Sequence, residues 1–167
     1  MRLSKLDVRD ARESDLPSIL DIYNHAVRET FSIWSESETT LEARRSWMAQ
    51  RRAAGFPVLA AAADEGVLGY ASYGVFRDFP GYAQTVEHSV YVASNAQRQG
   101  VGRALLSELM SRARAAGVET MVGGIDAANA ASLALHEALG FELQGVLKGV
   151  GRKFGRRLDL AFMVKAL

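Results

Sequence analysis

Cysteine is absent from this 167-residue chain. That excludes disulfides, thiolate metal sites and a thiol nucleophile, and no metal is expected. Proline is scarce, three residues scattered along the sequence, so no proline-rich linker divides it. No apolar run approaches the roughly 18 residues that a membrane span needs. The opening MRLSKLDVRD also lacks the apolar core of a secretory signal. The expectation is a cytoplasmic protein with no membrane partner. A charge excess of one sign is missing as well: 20 Lys and Arg against 19 Asp and Glu leave a formal net charge of +1. A nucleic-acid partner is not expected, since it requires a clustered basic surplus. Any anionic ligand has to be met by a local site.

What is present is ordinary for a globular chain, with 49% hydrophobic and 23% charged residues. One domain, residues 1–167, is long enough to bury a substantial core. Leu6 to Ala11 reads as a short strand. Ser14 to Glu29 carries a helical stripe that includes Leu16, Ile19, Ile22, Ala26 and Val27, with Ser14 or Asp15 as N-cap. Phe31 to Ser37 is a loop of unusual aromatic content, and Thr39-x-x-Glu42 is a capping box opening a second helix toward Gly55. The period then changes. Pro57 to Ala63 and Val67 to Phe76 form a hairpin about Asp64-Glu65-Gly66, and Thr85 to Ala93 is a third strand. Gly100 to Ala116 and Asn129 to Leu139 are helices ended by Gly117 and Gly140; Val118 to Ile125, Phe141 to Val150 and Leu158 to Leu167 are strands. This order predicts an α/β domain, a mixed sheet with helices on both faces.

Two short stretches stand out. Gln97-Arg98-Gln99-Gly100-Val101-Gly102 joins a strand to a helix N-terminus. Taken alone, the glycine pair fits a tight turn. It also fits an anion site, where free N–H groups and the helix dipole face a ligand that side chains would obstruct. The Walker pattern is absent, and a dinucleotide fingerprint would need Gly at 105, where Leu105 stands. The second stretch is Val86-Glu87-His88-Ser89-Val90, three polar residues inside an apolar strand. Alternation sends Glu87 and Ser89 one way and His88 the other. Either this strand is an exposed edge, or a cleft splits the sheet and the polar groups line it.

With Val90-Tyr91-Val92 before it and Asn129-x-x-Ser132 and Ala138-Leu139-Gly140-Phe141 after it, Gln97-x-x-Gly100-x-Gly102 resembles the pyrophosphate loop of the GNAT N-acetyltransferases. Ile22-Tyr23-Asn24-His25, Gly74-x-x-Arg77-x-Phe79, the strand from Val86 to Val92, Leu135-His136-Glu137 and Lys153-Phe154-Gly155-Arg156-Arg157-Leu158-Asp159 are similar to one branch, the phosphinothricin and methionine sulfoximine acetyltransferases. The resemblance implies a mostly antiparallel mixed sheet with a central cleft, acetyl-CoA as co-substrate, a small amino-acid-like acceptor and a homodimer. That branch's phosphinothricin enzymes have a basic residue after the first helix, whereas Phe31-Ser32-Ile33-Trp34 is apolar here. This suits a methionine-derived side chain better than a phosphinate.

The resemblance also distributes roles. Val90, Tyr91 and Val92 would hold the pantetheine arm by strand-like bonds, with N–H groups near an expected bulge at Val90 polarising the acetyl carbonyl. Gln97, Arg98, Gln99, Gly100, Val101, Gly102 and Arg103 would bind the diphosphate, with Asn129 and Ser132 also contacting the cofactor. Glu87, the one acid in the polar break, would be the general base. His136 stands where relatives have a Tyr that donates to the leaving thiolate; packing inside the helix is the other reading. His136-Glu137 is no metalloprotease motif, since position 140 is Gly. Arg77, with Asp78 and Phe79 beside it, is either a solvated surface residue or a clamp on the acceptor's carboxylate. His88 and Ser89 join Glu87 as acceptor-site candidates, although His88 also reads as a core histidine. His25, Glu36 and Glu38 read as surface. A protein or peptide acetyltransferase and a non-catalytic acetyl-CoA sensor are the alternatives.

Overall fold

A computed structural model describes residues 5–167; the first four residues of the opening stretch lie outside it. The elements in chain order are β1 (Asp7–Asp10), α1 (Leu16–Glu29), α2 (Leu41–Ala53), β2 (Val58–Ala63), β3 (Gly66–Val75), β4 (Thr85–Val92), α3 (Val101–Ala115), β5 (Thr120–Asp126), α4 (Ala130–Ala138), β6 (Glu142–Lys153) and β7 (Arg156–Ala166). The seven strands form one sheet in the order β1-β2-β3-β4-β5-β7-β6. Every neighbouring pair is antiparallel except β4 and β5. This is the layered α/β order expected from the sequence. Among the described residues no helix is long and apolar enough to cross a membrane.

The helical stripes explain the layers. Leu16, Ile19 and Ile22 of α1 and Met48 of α2 pack on Val58, Ala60 and Tyr70 on one face of the sheet. On the other face Leu105, Leu106 and Leu109 of α3 pack on Leu59, Ala71 and Met121. Each such fully buried side chain stabilises the fold by about 1.5–3 kcal/mol.

Two boundaries differ from the sequence reading. The cap of α2 is Thr40, whose hydroxyl accepts from the Ala43 N–H at 3.2 Å. Thr39 instead ties the segment to α1, its N–H donating to Asn24 Oδ1 at 2.9 Å. The last hairpin is also longer than expected. Gly151↔Leu158, Arg152↔Arg157 and Lys153↔Arg156 pair in register, leaving only Phe154-Gly155 as the turn. Both turn residues have positive φ, 49° and 73°, the requirement of a type I′ turn. Asn or Asp normally takes the first position, and Phe hides the signal.

The feature that positions the site is a split in the sheet. β4 and β5 pair only at Thr85↔Thr120, Val86↔Met121 and Glu87↔Val122. β4 continues along β3 to Val92, and β5 continues along β7 to Asp126. A wedge therefore opens just past Glu87, the expected central cleft. The expected bulge at Val90 is absent on the β3 side, where the register runs unbroken from Val75↔Val86 to Gly69↔Val92. Divergence of two strands, rather than an extra residue in one, makes the opening.

The helix that begins at the wedge depends on Gly69. A Cβ there would stand 2.8 Å from the Tyr91 carbonyl oxygen, 3.0 Å from Leu105 Cδ1 and 3.1 Å from Val101 Cγ1. The carbonyl belongs to the β3–β4 ladder and cannot move aside cheaply. Gly69→Ala is expected to destabilise the protein by about 1–3 kcal/mol, the usual scale of overpacking. Urea unfolding of the two proteins measures this; unchanged stability would show that α3 has slack over the sheet.

Candidate active site

Alternation places Glu87, Ser89 and Tyr91 on the face covered by α1 and α2. Cross-strand partners extend that face to Gly74, opposite Glu87, to Gly124 and Phe162, and to Gly151 and Leu158. Three of these positions are glycines, and each seats a side chain from elsewhere. The Arg51 guanidinium lies where a Gly74 side chain would be, and the Trp34 indole lies where one from Gly151 would be. Glu87 Oε1 sits 3.2 Å from the place of a Gly124 Cβ, with Leu160 Cδ1 at 3.4 Å. The bare sheet lets a cation, an acid and an indole lie flat around the start of the wedge.

Glu87 is half-buried. Desolvation pushes its carboxyl above the ordinary value, with the Arg77 charge pulling the other way. Arg77 lies just beyond β3; its Nη1 donates to the Phe76 carbonyl at 2.8 Å and its guanidinium lies 4.4 Å from the Phe76 ring centre. Asp78 and Phe79, both exposed, line a cavity of about 310 Å³ together with Arg77, Val75 and Val86. Val75 and Val86 belong to the face opposite Glu87, so this cavity, with Asp78 and Phe79 on it, is not on the acid's side; of the three only the Arg77 charge acts on Glu87. Ser89 is exposed, and burial raises the pKa of the Tyr91 phenol on the same face.

Two histidine assignments need correction. His88 is 7% exposed and points to the α3–α4 face, away from Glu87, so it is not an acceptor-site residue. His136 is 1% exposed, and both its ring nitrogens are engaged within the protein. Nδ1 donates to the Ser132 carbonyl at 2.7 Å, and Nε2 meets His88 Nε2 at 3.1 Å. The rings stack with centres 5.0 Å apart, against Phe141. A carbonyl can only accept, so His136 is the Nδ1–H tautomer and His88 supplies the shared proton. In this arrangement His136 has no free donor for a leaving thiolate. His25 is half-buried, whereas Glu38 lies on the surface as read from the sequence.

The loop before α3 has the form of an anion cradle. Arg98 and Gly100 adopt positive φ, 61° and 85°, and Gly100 caps α3 without any side-chain bond. A Cβ on Gly100 would meet nothing within 4 Å. No packing reason calls for glycine there; the backbone conformation and the open approach do. Gly102 differs, since its Cβ would press on Leu135 Cδ2 at 3.2 Å and Val92 Cγ2 at 3.5 Å. Its role is to let α4 pack beside the first turn of α3. Gln97, Arg98, Gln99 and Arg103 are exposed, while the Val101 side chain is in the core, leaving only its N–H toward a ligand. Asn129 caps α4, Oδ1 accepting from the Ser132 N–H at 3.1 Å. From His88 to Val92 the β5-facing edge of β4 has no strand partner. An elongated ligand with an anionic end fits this combination of free strand edge, open amides and flanking cations.

Sequence reasoning missed the inward face of α2. Arg44, Trp47, Met48 and Arg51 stand at helical spacing, the pattern that would have shown it. Arg44 is 8% exposed, its guanidinium 3.8 Å from the Trp47 ring centre and 4.6 Å from that of Tyr23. Burial and the nearby Arg44 lower the pKa of Arg51. Neither arginine has a carboxylate partner among the described residues.

The acetyltransferase (GNAT) domain model matches residues 8–162. The chain belongs to the GNAT acetyltransferase family. It is 51% identical to an L-methionine sulfoximine/L-methionine sulfone acetyltransferase of Pseudomonas aeruginosa, over 93% of this chain and 91% of that one. A ribosomal-protein-alanine N-acetyltransferase structure from Brucella melitensis superposes with TM-score 0.95 at 53% identity, covering 96% and 99% of the two chains. A phosphinothricin acetyltransferase from Sinorhizobium meliloti, in complex with acetyl-CoA, superposes with TM-score 0.93 at 39% identity, covering 97% and 88%. GNAT enzymes use acetyl-CoA, and the wedge and loop of this domain suit it.

The histidine pair gives this GNAT domain an acid limit of its own. Burial and the neighbouring His136 hold His88 down to about 3, and burial lowers His136. Below the ordinary histidine value near 6.5 the unfolded chain takes up protons that the native pair refuses. Stability is thus fully present above pH 6.5 and falls as pH drops toward 3, by about 1.4 kcal/mol per pH unit for His88, with His136 adding to the fall. His88→Phe should remove about one proton's share of that slope in urea unfolding between pH 7 and 4. An identical slope in wild type and variant would show that His88 protonates in the folded state.

Proposed function

We propose that this enzyme transfers the acetyl group of acetyl-CoA to the α-amino group of a small amino-acid analogue. Methionine sulfone and methionine sulfoximine are the preferred acceptors, and phosphinothricin a poorer one. The observation that carries this reading is Glu87, a half-buried carboxylate at the mouth of the wedge, raised by desolvation and facing the field of Arg77. The named activity of the Pseudomonas relative supports the choice of acceptor, as does the apolar segment from Phe31 to Trp34.

An amino acid's amine is mostly protonated near neutral pH, and only the free base attacks a thioester. Glu87, made a stronger base by desolvation, takes that proton directly or through one water. Acetyl-CoA would supply the activated acyl group: the amine nitrogen bonds the acetyl carbon, the carbon–sulfur bond breaks, and coenzyme A leaves as a thiolate that takes its proton from water. Gly100, Val101 and Gly102 offer backbone N–H groups to its diphosphate, with Arg98 and Arg103 as flanking charges and Gln97, Gln99, Asn129 and Ser132 as polar contacts. The free edge of β4 from Val90 to Val92 offers strand-like bonds to the pantetheine arm and an N–H to the developing oxyanion. Arg77 pairs the acceptor's carboxylate, with Ser89 on the Glu87 face beside it; Asp78 and Phe79 line the cavity on the other face and take no part. Exposed Leu143, Leu147 and Val150 on the edge strand β6 suit a second copy of the chain, and a cytoplasmic homodimer completes the reading.

Glu87→Gln should lower turnover about 10²-fold or more, the usual scale for a positioned base, with acetyl-CoA affinity unchanged. The same change should raise Tm at pH 7. The folded-state pKa of Glu87 is raised, so ionisation costs the native state stability as pH climbs through it, and Gln removes that cost. Calorimetry with steady-state kinetics decides; full activity in the Gln variant would move the base elsewhere.

The second reading, a protein N-terminal alanine acetyltransferase, is favoured by the Brucella neighbour at 53% identity. Arg77 separates the two, since a peptide N-terminus has no carboxylate next to its amine. Arg77→Ala should cost about 1.5–3 kcal/mol in kcat/KM for methionine sulfone, the range for a hydrogen bond to a charged group. It should cost little for methionine sulfone amide. Equal losses on acid and amide would favour the peptide reading.

A further inference from the structure

Lys153 is fully buried, at 0% exposure, and the chemistry above does not use it. Its Nζ donates to the carbonyls of Thr30 at 2.6 Å, Ile33 at 2.7 Å and Ala26 at 3.4 Å. All three ammonium hydrogens are thereby placed. The acceptors belong to the last turn of α1 and the segment after it, where the helix dipole is negative. No carboxylate forms an ion pair with it among the described residues. Burial lowers the pKa of this ammonium, with the Glu36 charge opposing, and burying it without an ion pair is costly, so this lysine is an expensive way to end a helix that a glycine or a water would end as well.

The turn that carries Lys153 grips the same segment at three further points. Phe154 holds a positive φ of 49°, strained for a bulky residue, while its N–H donates to Glu36 Oε1 at 2.7 Å. Its ring meets Phe31 edge-on, centres 5.6 Å apart, and the Arg156 guanidinium lies 4.8 Å from the Phe31 ring centre. Trp34 rests on Gly151, and its Nε1 donates to the Phe31 carbonyl at 2.9 Å. Gly151, Leu158, Leu160, Gly124 and Glu87 share one sheet face. The indole therefore stands on the same floor as the base, with Leu160 between them.

We infer that Lys153 is a positioning residue for acceptor selection: its ammonium locks residues 30–36 onto the β6–β7 turn, so that Phe31 and Trp34 form a fixed apolar wall for the acceptor's side chain. This rests on the amino-acid reading of the acceptor given above. The ammonium never meets substrate. It acts through the loop, by removing the freedom that a wall of two aromatics on a seven-residue segment would otherwise have.

The absence of cysteine makes the test clean. Lys153→Met keeps the side chain's bulk and removes its charge. In Lys153→Cys the new thiol is the only one in the chain, and alkylation with 2-bromoethylamine in denaturant, followed by refolding, rebuilds an ammonium of lysine-like reach. Lys153→Met should raise KM for methionine sulfone about tenfold or more, while KM for acetyl-CoA and kcat/KM for glycine, which has no side chain, stay within about threefold. Aminoethylation of the Lys153→Cys variant should restore the lower KM, and the unmodified variant should not show it. Equal losses for sulfone, glycine and acetyl-CoA, or aminoethylation that restores Tm without KM, would overturn the inference. Trp34 emission in a Trp47→Phe background gives a readout that needs no acceptor, because the chain has two tryptophans. It should shift to the red in Lys153→Met; unchanged emission overturns the inference. Wild-type protein inert toward every amino acid would sink the acceptor reading instead, leaving the latch to be judged on Trp34 alone.

Discussion

The whole site depends on β4 ceasing to pair with β5 after Glu87↔Val122. Backbone groups inside a sheet do not stay unpaired without cost, so the free edge beyond Glu87 must be answered by water or by a ligand with strand-like polar groups. Two consecutive glycines mark the fork. Gly123 and Gly124 point to opposite faces of β5. His88 Nε2 comes within 2.9 Å of where a Gly123 Cβ would be, and Glu87 Oε1 within 3.2 Å of the corresponding place at Gly124. The stacked imidazoles fill the base of the wedge on the α4 side, and the carboxylate occupies the other. A side chain at either glycine would push one of them out and move the point where the strands part.

The same economy of side chains governs the neighbouring strands. Gly74 and Gly151 leave the sheet bare where Arg51 and Trp34 lie on it. The two covering segments are thus brought closer to the floor than a sheet with ordinary side chains allows. α2 presents Arg44 and Arg51 to the floor, and the segment after α1 presents Trp34. Both segments hang from α1, whose C-terminal carbonyls are held by Lys153 from the opposite end of the chain. The anion loop is positioned independently, by Gly69 and Gly102, which set how closely α3 and α4 approach β3 and β4.

Much of this is legible in the sequence, and the omissions have physical causes. The order of elements follows from the change of hydrophobic period, and the polar break from Glu87 to Ser89 marks the fork because a covered strand does not carry such a run by chance. Alternation correctly separates Glu87 from His88. It does not say which face opens to the ligand, and so the sequence groups His88 with the acceptor site. The family resemblance suggests a donor at His136, whereas its environment is set by His88, 48 residues earlier. Lys153 is unreadable for a similar reason: its partners are backbone carbonyls 120 to 127 residues away, and a carbonyl leaves no trace in residue type. The Phe154-Gly155 turn escapes because tertiary contacts of the Phe override the ordinary chemistry of its position.

Charge supplies the last constraint. The chain as a whole is nearly neutral, yet around the Glu87 face Arg44, Arg51, Arg77 and Lys153 all lack a carboxylate ion-pair partner among the described residues. The ion pairs lie elsewhere, at Arg9–Asp15, Arg28–Glu38, Arg45–Glu42, Arg112–Glu108 and Lys148–Asp159. Of the cations around the Glu87 face it is Arg77 whose charge acts on the raised carboxylate of Glu87. Two unit charges 4 Å apart interact by about 4 kcal/mol at an effective dielectric of 20, so in the proposed reaction the Arg77 field would favour an acceptor that carries a carboxylate. A lysine side chain or a polyamine would bring further positive charge into it. In the proposed reaction an amino acid brings an amine for Glu87 and a carboxylate for Arg77, arranged on a single carbon. On that reading Arg77 selects for the pairing, and the proposed aromatic wall has only to choose among amino acids.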